Sequence, residues 1–158
     1  MSQLTAHARS MIAYNHWANG KILEAVAGLP DDALDAVSDK LAHTVGTQMY
    51  WYANWTGGEF AEPKGELSLA DLRGLFERAD ANLHDYAAKL TDDEWARTAA
   101  WWKRFGFDAE TAVGPMLFQV VFHGIHHRAE VAATCTEHGC SPGDLDFLVY
   151  LQETAGLA

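Results

Sequence analysis

The sequence predicts an all-α protein: a four-helix bundle with a long third-to-fourth helix connection and a short C-terminal helix. Three observations carry this. Apolar residues recur at alternating steps of three and four through most of the chain, which gathers them on one face of a helix. Strand-like alternation is scarce. The chain has 158 residues, 49% of them hydrophobic, enough for a single domain with a substantial core.

The first helix shows the period at Leu4, Ala8, Met11, Ile12, Ile22 and Val26. Leu29-Pro30-Asp31-Asp32 ends it, because proline removes a backbone donor and disfavours helix in the residue before it. A second helix is expected to start near Ser38 or Asp39 as N-cap and to run through Leu41, Val45, Met49, Tyr52 and Trp55. Gly57-Gly58 stops it, and residues 59–67, with Pro63 and Gly65, read as a loop. Ser68 with Asp71 three positions on has the capping-box spacing, and Leu69, Leu72, Phe76, Ala79, Leu83, Tyr86 and Leu90 mark the third helix. Residues 91–114 hold Trp95, Trp101, Trp102, Phe105 and Phe107. They are expected to form a crossover packed over one end of the bundle. The alternative is a short hairpin of Thr98 to Trp102 against Phe105 to Ala109. Pro115 suits the first turn of the fourth helix, which is expected to reach about His138 with Gly139 as its C-cap. Ser141-Pro142-Gly143-Asp144 then opens a last helix to about Glu153.

Composition narrows the function. Lys and Arg number 11 against 22 Asp and Glu, a formal charge of -11, the opposite of a nucleic-acid footprint. No apolar run approaches the roughly 18 residues of a spanning helix, and no basic-then-apolar segment opens the chain, so no membrane partner is expected. Cys135 and Cys140 are too few for a disulfide scaffold, which makes the cytoplasm the expected compartment. Both read as structural or incidental. No serine or cysteine nucleophile motif, phosphate-cradling loop or dinucleotide fingerprint is present.

The chemistry concentrates in His123-Gly-Ile-His126-His127-Arg128-Ala-Glu130. On a helix, positions 123 and 127 differ by about 40° around the axis and about 6 Å along it, so two imidazoles converge as in helical zinc sites. Helical projection sets Leu117, Val121, Gly124, Val131 and Cys135 on one face and Gln119, His123, His126, His127, Glu130 and Thr134 in a polar stripe. The stripe reads either as a solvated face or as half of a metal site. Phe118 and Phe122 widen the apolar sector, which places the stripe in a crevice on the second reading. His43 is the best third ligand, with the small Gly46 and Thr47 beside it and Tyr50 further on, although it falls away from the centre of its helix's apolar face. His7, His16 and His84 read as surface or hydrogen-bonding residues. Asn15 and Asn19 share a face with Met11 and Ile22 and need partners, either as outer support for a polar site or as caps of a neighbouring helix.

Along nearly its whole length the chain resembles the DinB/YfiT-like metalloenzyme family. The resemblance rests on Tyr14-Asn15-His16-Trp17-Ala18-Asn19, Leu41-Ala42-His43, the His123 to Glu130 stretch, and Gly139-Cys-Ser-Pro142-Gly-Asp144-Leu-Asp146 through Tyr150. It implies a bundle, often a homodimer, holding a divalent metal, zinc or nickel foremost, by His43, His123 and His127, with His126 outside the coordination. Glu130 departs from the family pattern, where many relatives carry Gln. Relatives are associated with low-molecular-weight thiols, so the leading expectation is a metal-dependent S-transferase joining a small thiol to an electrophilic substrate. Trp101, Trp102 and Tyr50 are candidate linings of its cleft. The alternatives are a metal-dependent hydrolase, with Glu130 or His126 assisting proton transfer, and a non-catalytic metal-binding dimeric bundle.

Overall fold

The computed structural model describes residues 2–101 and 109–154. In chain order the elements are α1 (Gln3–Val26), α2 (Asp31–Thr56), α3 (Leu69–Ala88), α4 (Asp92–Ala96), β1 (Thr98–Trp101), β2 (Ala109–Ala112), α5 (Val113–Glu137) and α6 (Phe147–Thr154). Helices α1, α2, α3 and α5 are the bundle, as expected. No helix among the described residues is long and apolar enough to cross a membrane.

Packing sets α1 and α2 on opposite corners, each against α3 and α5. Arg9 Nε donates to the Ala87 carbonyl at 2.8 Å while Arg73 Nη2 reaches the Leu23 carbonyl at 3.1 Å, so α1 and α3 are antiparallel. Thr47 meets His123 and Lys40 meets Glu130, which makes α2 and α5 antiparallel too. Trp55 stacks on Tyr86 with ring centroids 5.4 Å apart, which joins the C-terminal ends of α2 and α3, so these two run parallel. The connection between them must travel back along α2, and it does so with Pro63 lying against Gly46.

Three boundaries differ from the sequence expectation. Helix α2 begins at Asp31 rather than near Ser38, with Pro30 at its N-cap in extended backbone (φ -65, ψ 157). There the proline's missing donor costs no helical bond, and Asp31 and Asp32 face the positive end of the helix dipole. Ala33 and Val37 then extend the buried face of Leu41 and Val45. In the third-to-fourth connection a hairpin forms in place of an irregular crossover, with its second strand at Ala109–Ala112 rather than Phe105 to Ala109. Its register pairs Thr98 with Ala112 and Trp101 with Ala109, so β2 leads straight into α5. The Arg97 carbonyl accepts from Val113 N–H at 2.9 Å, and Arg97 also donates to the Trp55 carbonyl at 2.9 Å, pinning the ribbon to the bundle's end. Trp102, Phe105 and Phe107, and the side chain of Trp101, lie outside the described residues. Finally, α6 starts at Phe147. Residues 141–146 instead form side-chain-capped turns, with Asp146 N–H donating to Asp144 Oδ1 at 2.9 Å.

Two end signals hold. Ser68 and Asp71 cap α3 reciprocally, and Gly139 (φ 77) follows the C-cap His138 while Cys140 N–H donates to the Cys135 carbonyl at 2.9 Å. Cys135 is buried, and burial pushes its thiol up to about 11, in keeping with an inert structural role.

The core has two apolar ends. One gathers Ile12, Trp51, Trp55, Leu83, Leu117 and Val121; the other gathers Ile22, Val37, Leu41, Leu72, Phe76 and Val131. Burying each such large side chain contributes about 1.5–3 kcal/mol. Between the ends, by position along every helix, sits a polar layer: Asn15 and Asn19 on α1, Gln48 on α2, Asp80 on α3 and Arg128 on α5. All five are buried.

Candidate metal centre

Successive turns of α5 carry His123 and His127, with ring centroids 4.5 Å apart. From α2, His43 brings a third imidazole to 5.0 Å from each. One nitrogen from each ring lies within 4.8 Å of the others. His43 is exposed and the other two are half-buried. The seam admits them because small residues follow His43: Thr47 Oγ1 lies 3.2 Å from His123 Nε2, and Gly46 leaves space filled by Pro63.

Glu130 stands behind this trio. Its Oε2 lies 2.7 Å from His127 Nδ1 and 2.9 Å from Lys40 Nζ, so it ties α5 to α2 along the same seam. The His127 hydrogen bond, followed by Lys40, holds the Glu130 carboxyl down to about 2. An ionised acid on Nδ1 leaves Nε2 as the free donor of His127, the arrangement that orients metal-binding histidines. Burial, then the neighbouring imidazoles of His127, His43 and His126, pushes His123 down to about 4. Burial and His127 lower His43 as well, against an opposing pull from Glu62. His43 and His123 are therefore neutral near pH 7, the form that donates a lone pair.

This donor set fits a divalent ion. Zinc–nitrogen bonds of about 2.1 Å in a tetrahedral site need nitrogens roughly 3.4 Å apart. A second trio, His126, His127 and Glu130, also has donor atoms within 4.8 Å. It shares His127, and its carboxylate already holds Lys40 and His127 Nδ1. His126 is exposed, its Nε2 3.9 Å from Glu130 Oε1.

A cavity of about 270 Å³ opens beside His43 and His123. Tyr50 and Trp51 of α2 form one wall, and the α2–α3 connection supplies Phe60, Glu62 and Pro63 as its roof. Tyr50 and Phe60 meet edge to face with centroids 5.4 Å apart. Tyr50 thus lies where the sequence analysis expects it, while the roof has no counterpart there. Neither Glu130 nor His126 is among the lining residues. Phe118 and Phe122 do not wall the histidines in. Phe122 is exposed and stacks on Phe118, which meets Trp95 instead.

Asn15, Asn19 and His16 of α1 engage the neighbouring helices. Asn15 and Asn19 accept from buried Arg128, and Asn19 Nδ2 donates to Asp80 Oδ1 at 2.9 Å. His16 projects outward yet keeps Nδ1 at 3.1 Å from Asp80 Oδ2; His7 and His84 are exposed. Tyr14 and Trp17 pack against Tyr150, docking α6.

Two antiparallel helices of an all-α bundle that converge three imidazoles beside an aromatic cavity define a candidate metal-binding helical protein. The DinB family model matches residues 1–156, and the chain belongs to the DinB family. Comparisons with curated proteins and with solved structures gave no match.

Proposed function

We propose that this protein holds one divalent metal ion with His43, His123 and His127 and acts as a thiol-dependent S-transferase. The observation that carries the metal reading is the convergence of three imidazoles, two of which, His43 and His123, are held neutral on the wall of a cavity. A divalent ion on three neutral ligands keeps its charge and an open position, and supplies acidification of a bound thiol or water. The dependence on a small thiol rests on the family resemblance. Imidazole donors suit zinc and nickel alike.

The chain's own residues divide the remaining work. Glu130 orients His127 from outside the cavity. Tyr50, Trp51 and Phe60 exclude water and offer an apolar surface to the body of an electrophile. Glu62 and Gln119 provide the polar contacts that turn a substrate toward His43 and His123.

Metal analysis of the full chain purified without a histidine tag tests the first half. One equivalent of zinc or nickel is expected, and loss of it in His127→Ala. A protein that takes up neither metal and gains no stability from either rejects the reading. Incubation with monochlorobimane and a panel of small thiols tests the second half. Transfer to thiol in the metal-loaded protein supports it, whereas turnover of ester substrates without thiol favours a hydrolase.

A further inference from the structure

We infer that Arg128 is a positioning residue for the metal centre: its hydrogen bonds to α1 set the rotation of the two α5 turns that carry His123 and His127. The inference rests on the metal reading above and concerns how the chain aims its ligands.

Gly124 and Arg128 directly follow the two histidines, about 100° around the helix from each. His123 and His127 therefore face α2 while Gly124 and Arg128 face α1. Arg128 is 3% exposed, and its Nη1 donates to Asn15 Oδ1 and to Asn19 Oδ1, both at 2.7 Å. Its guanidinium carbon sits 5.7 Å from the centre of the Tyr14 ring. Asn19 passes the connection to Asp80 on α3, so a single guanidinium ties α5 to two other helices. Gly124 makes the approach possible: a Cβ there would lie 2.7 Å from Arg128 Nη1 and 2.8 Å from Asn15 Oδ1.

Magnitudes support an aiming role. A 10° rotation of α5 moves an atom at a radius of about 6 Å by about 1 Å. Metal coordination tolerates only about 0.2 Å in ligand distance. Apolar packing is non-directional, whereas two 2.7 Å hydrogen bonds to the buried Asn15 and Asn19 oxygens oppose such a rotation. The network therefore bears on stability and on aim alike, and the two are separated by measuring affinity on folded protein beside the unfolding midpoint.

The test compares wild type, Arg128→Met and Gly124→Ala in the full chain. Zinc affinity is read by competition with a chromogenic chelator, and folding by the denaturant midpoint of the metal-free protein. Arg128→Met strands the buried Asn15 and Asn19 oxygens, so it is expected to lower the midpoint while remaining folded in buffer, and to lose at least fivefold in zinc affinity under those fully folded conditions. Gly124→Ala, which wedges the same contact while retaining the charge, is expected to lose at least fivefold as well, and it decides the matter if Arg128→Met fails to fold. A smaller loss in a folded variant overturns the inference. So does a loss in both variants that only tracks a falling midpoint, which assigns the network to the fold alone. A wild type that binds no zinc rejects the metal reading and this inference with it. A wild type that binds while the variants bind equally well rejects the inference alone.

Discussion

Replacing Glu130 with alanine should weaken metal binding without unfolding the protein. The carboxylate holds His127 Nδ1 at 2.7 Å and Lys40 Nζ at 2.9 Å, and it is partly solvent-exposed. It fixes two things at once: the rotation of the ring about its last side-chain torsion, which is broad and roughly two-fold when unrestrained, and the tautomer that carries its proton on Nδ1. Loss of an outer partner of this kind costs about 10–100-fold in metal affinity. We expect Glu130→Ala to fall in that range for zinc at neutral pH, measured by chelator competition. Glu130→Gln keeps an oxygen able to accept from Nδ1 and loses only the charge, so its loss should stay below tenfold. Zinc affinity of Glu130→Ala within twofold of wild type would refute the orienting role.

Other perturbations test the frame around the centre. Gly114→Ala puts a Cβ 2.2 Å from the Trp95 ring. The clash should outweigh the gain in helix propensity and lower stability by about 1–3 kcal/mol, a fall of roughly 2–12 °C in Tm for a domain of this size; an unchanged Tm contradicts it. Asp80 raises the pKa of His16 above its ordinary 6.5, chiefly through their hydrogen bond. A raised folded pKa stabilises below the unfolded value and ceases to do so as pH climbs through the folded one. The denaturant midpoint of wild type over His16→Ala should therefore be greatest near pH 5.5 and shrink by about pH 8. A difference independent of pH refutes the pair's contribution.

The helical framework was legible because burial follows the three-four period, and Ser68 with Asp71 shows that local capping chemistry is readable as well. The start of α2 departs from the sequence expectation for a physical reason: Pro30 reads as a terminator, though proline is equally at home at the start of a helix. Ala33 and Val37, each four residues from the next core position, carried the signal. The hairpin was obscured by its small residues, Ala99, Ala100 and Ala112, whose weak strand preference is overridden by the anchoring of Arg97. Among the site residues, His123 and His127 follow from helix geometry, but His43 faces them only because α2 and α5 are antiparallel and in register. That is a tertiary fact. Arg128 completes the buried series Leu117, Val121, Gly124, Val131, Cys135 at the same spacing, although arginine is ordinarily exposed. The cavity roof was illegible, since nothing local dictates that residues 57–68 fold back along α2.

That fold-back has a bearing on how this scaffold could be diversified. The roof and the ligand-bearing helix touch where Gly46 meets Pro63, and a Cβ at position 46 would lie 3.1 Å from Pro63 Cδ. Position 46 sits one turn beyond His43 and faces the cavity. Its size therefore acts as a spacer between floor and roof. A change from hydrogen to methyl there lifts the lid by a few tenths of an ångström and leaves the donor atoms untouched. In this bundle, entry of a bulkier molecule is adjustable separately from the chemistry that awaits it.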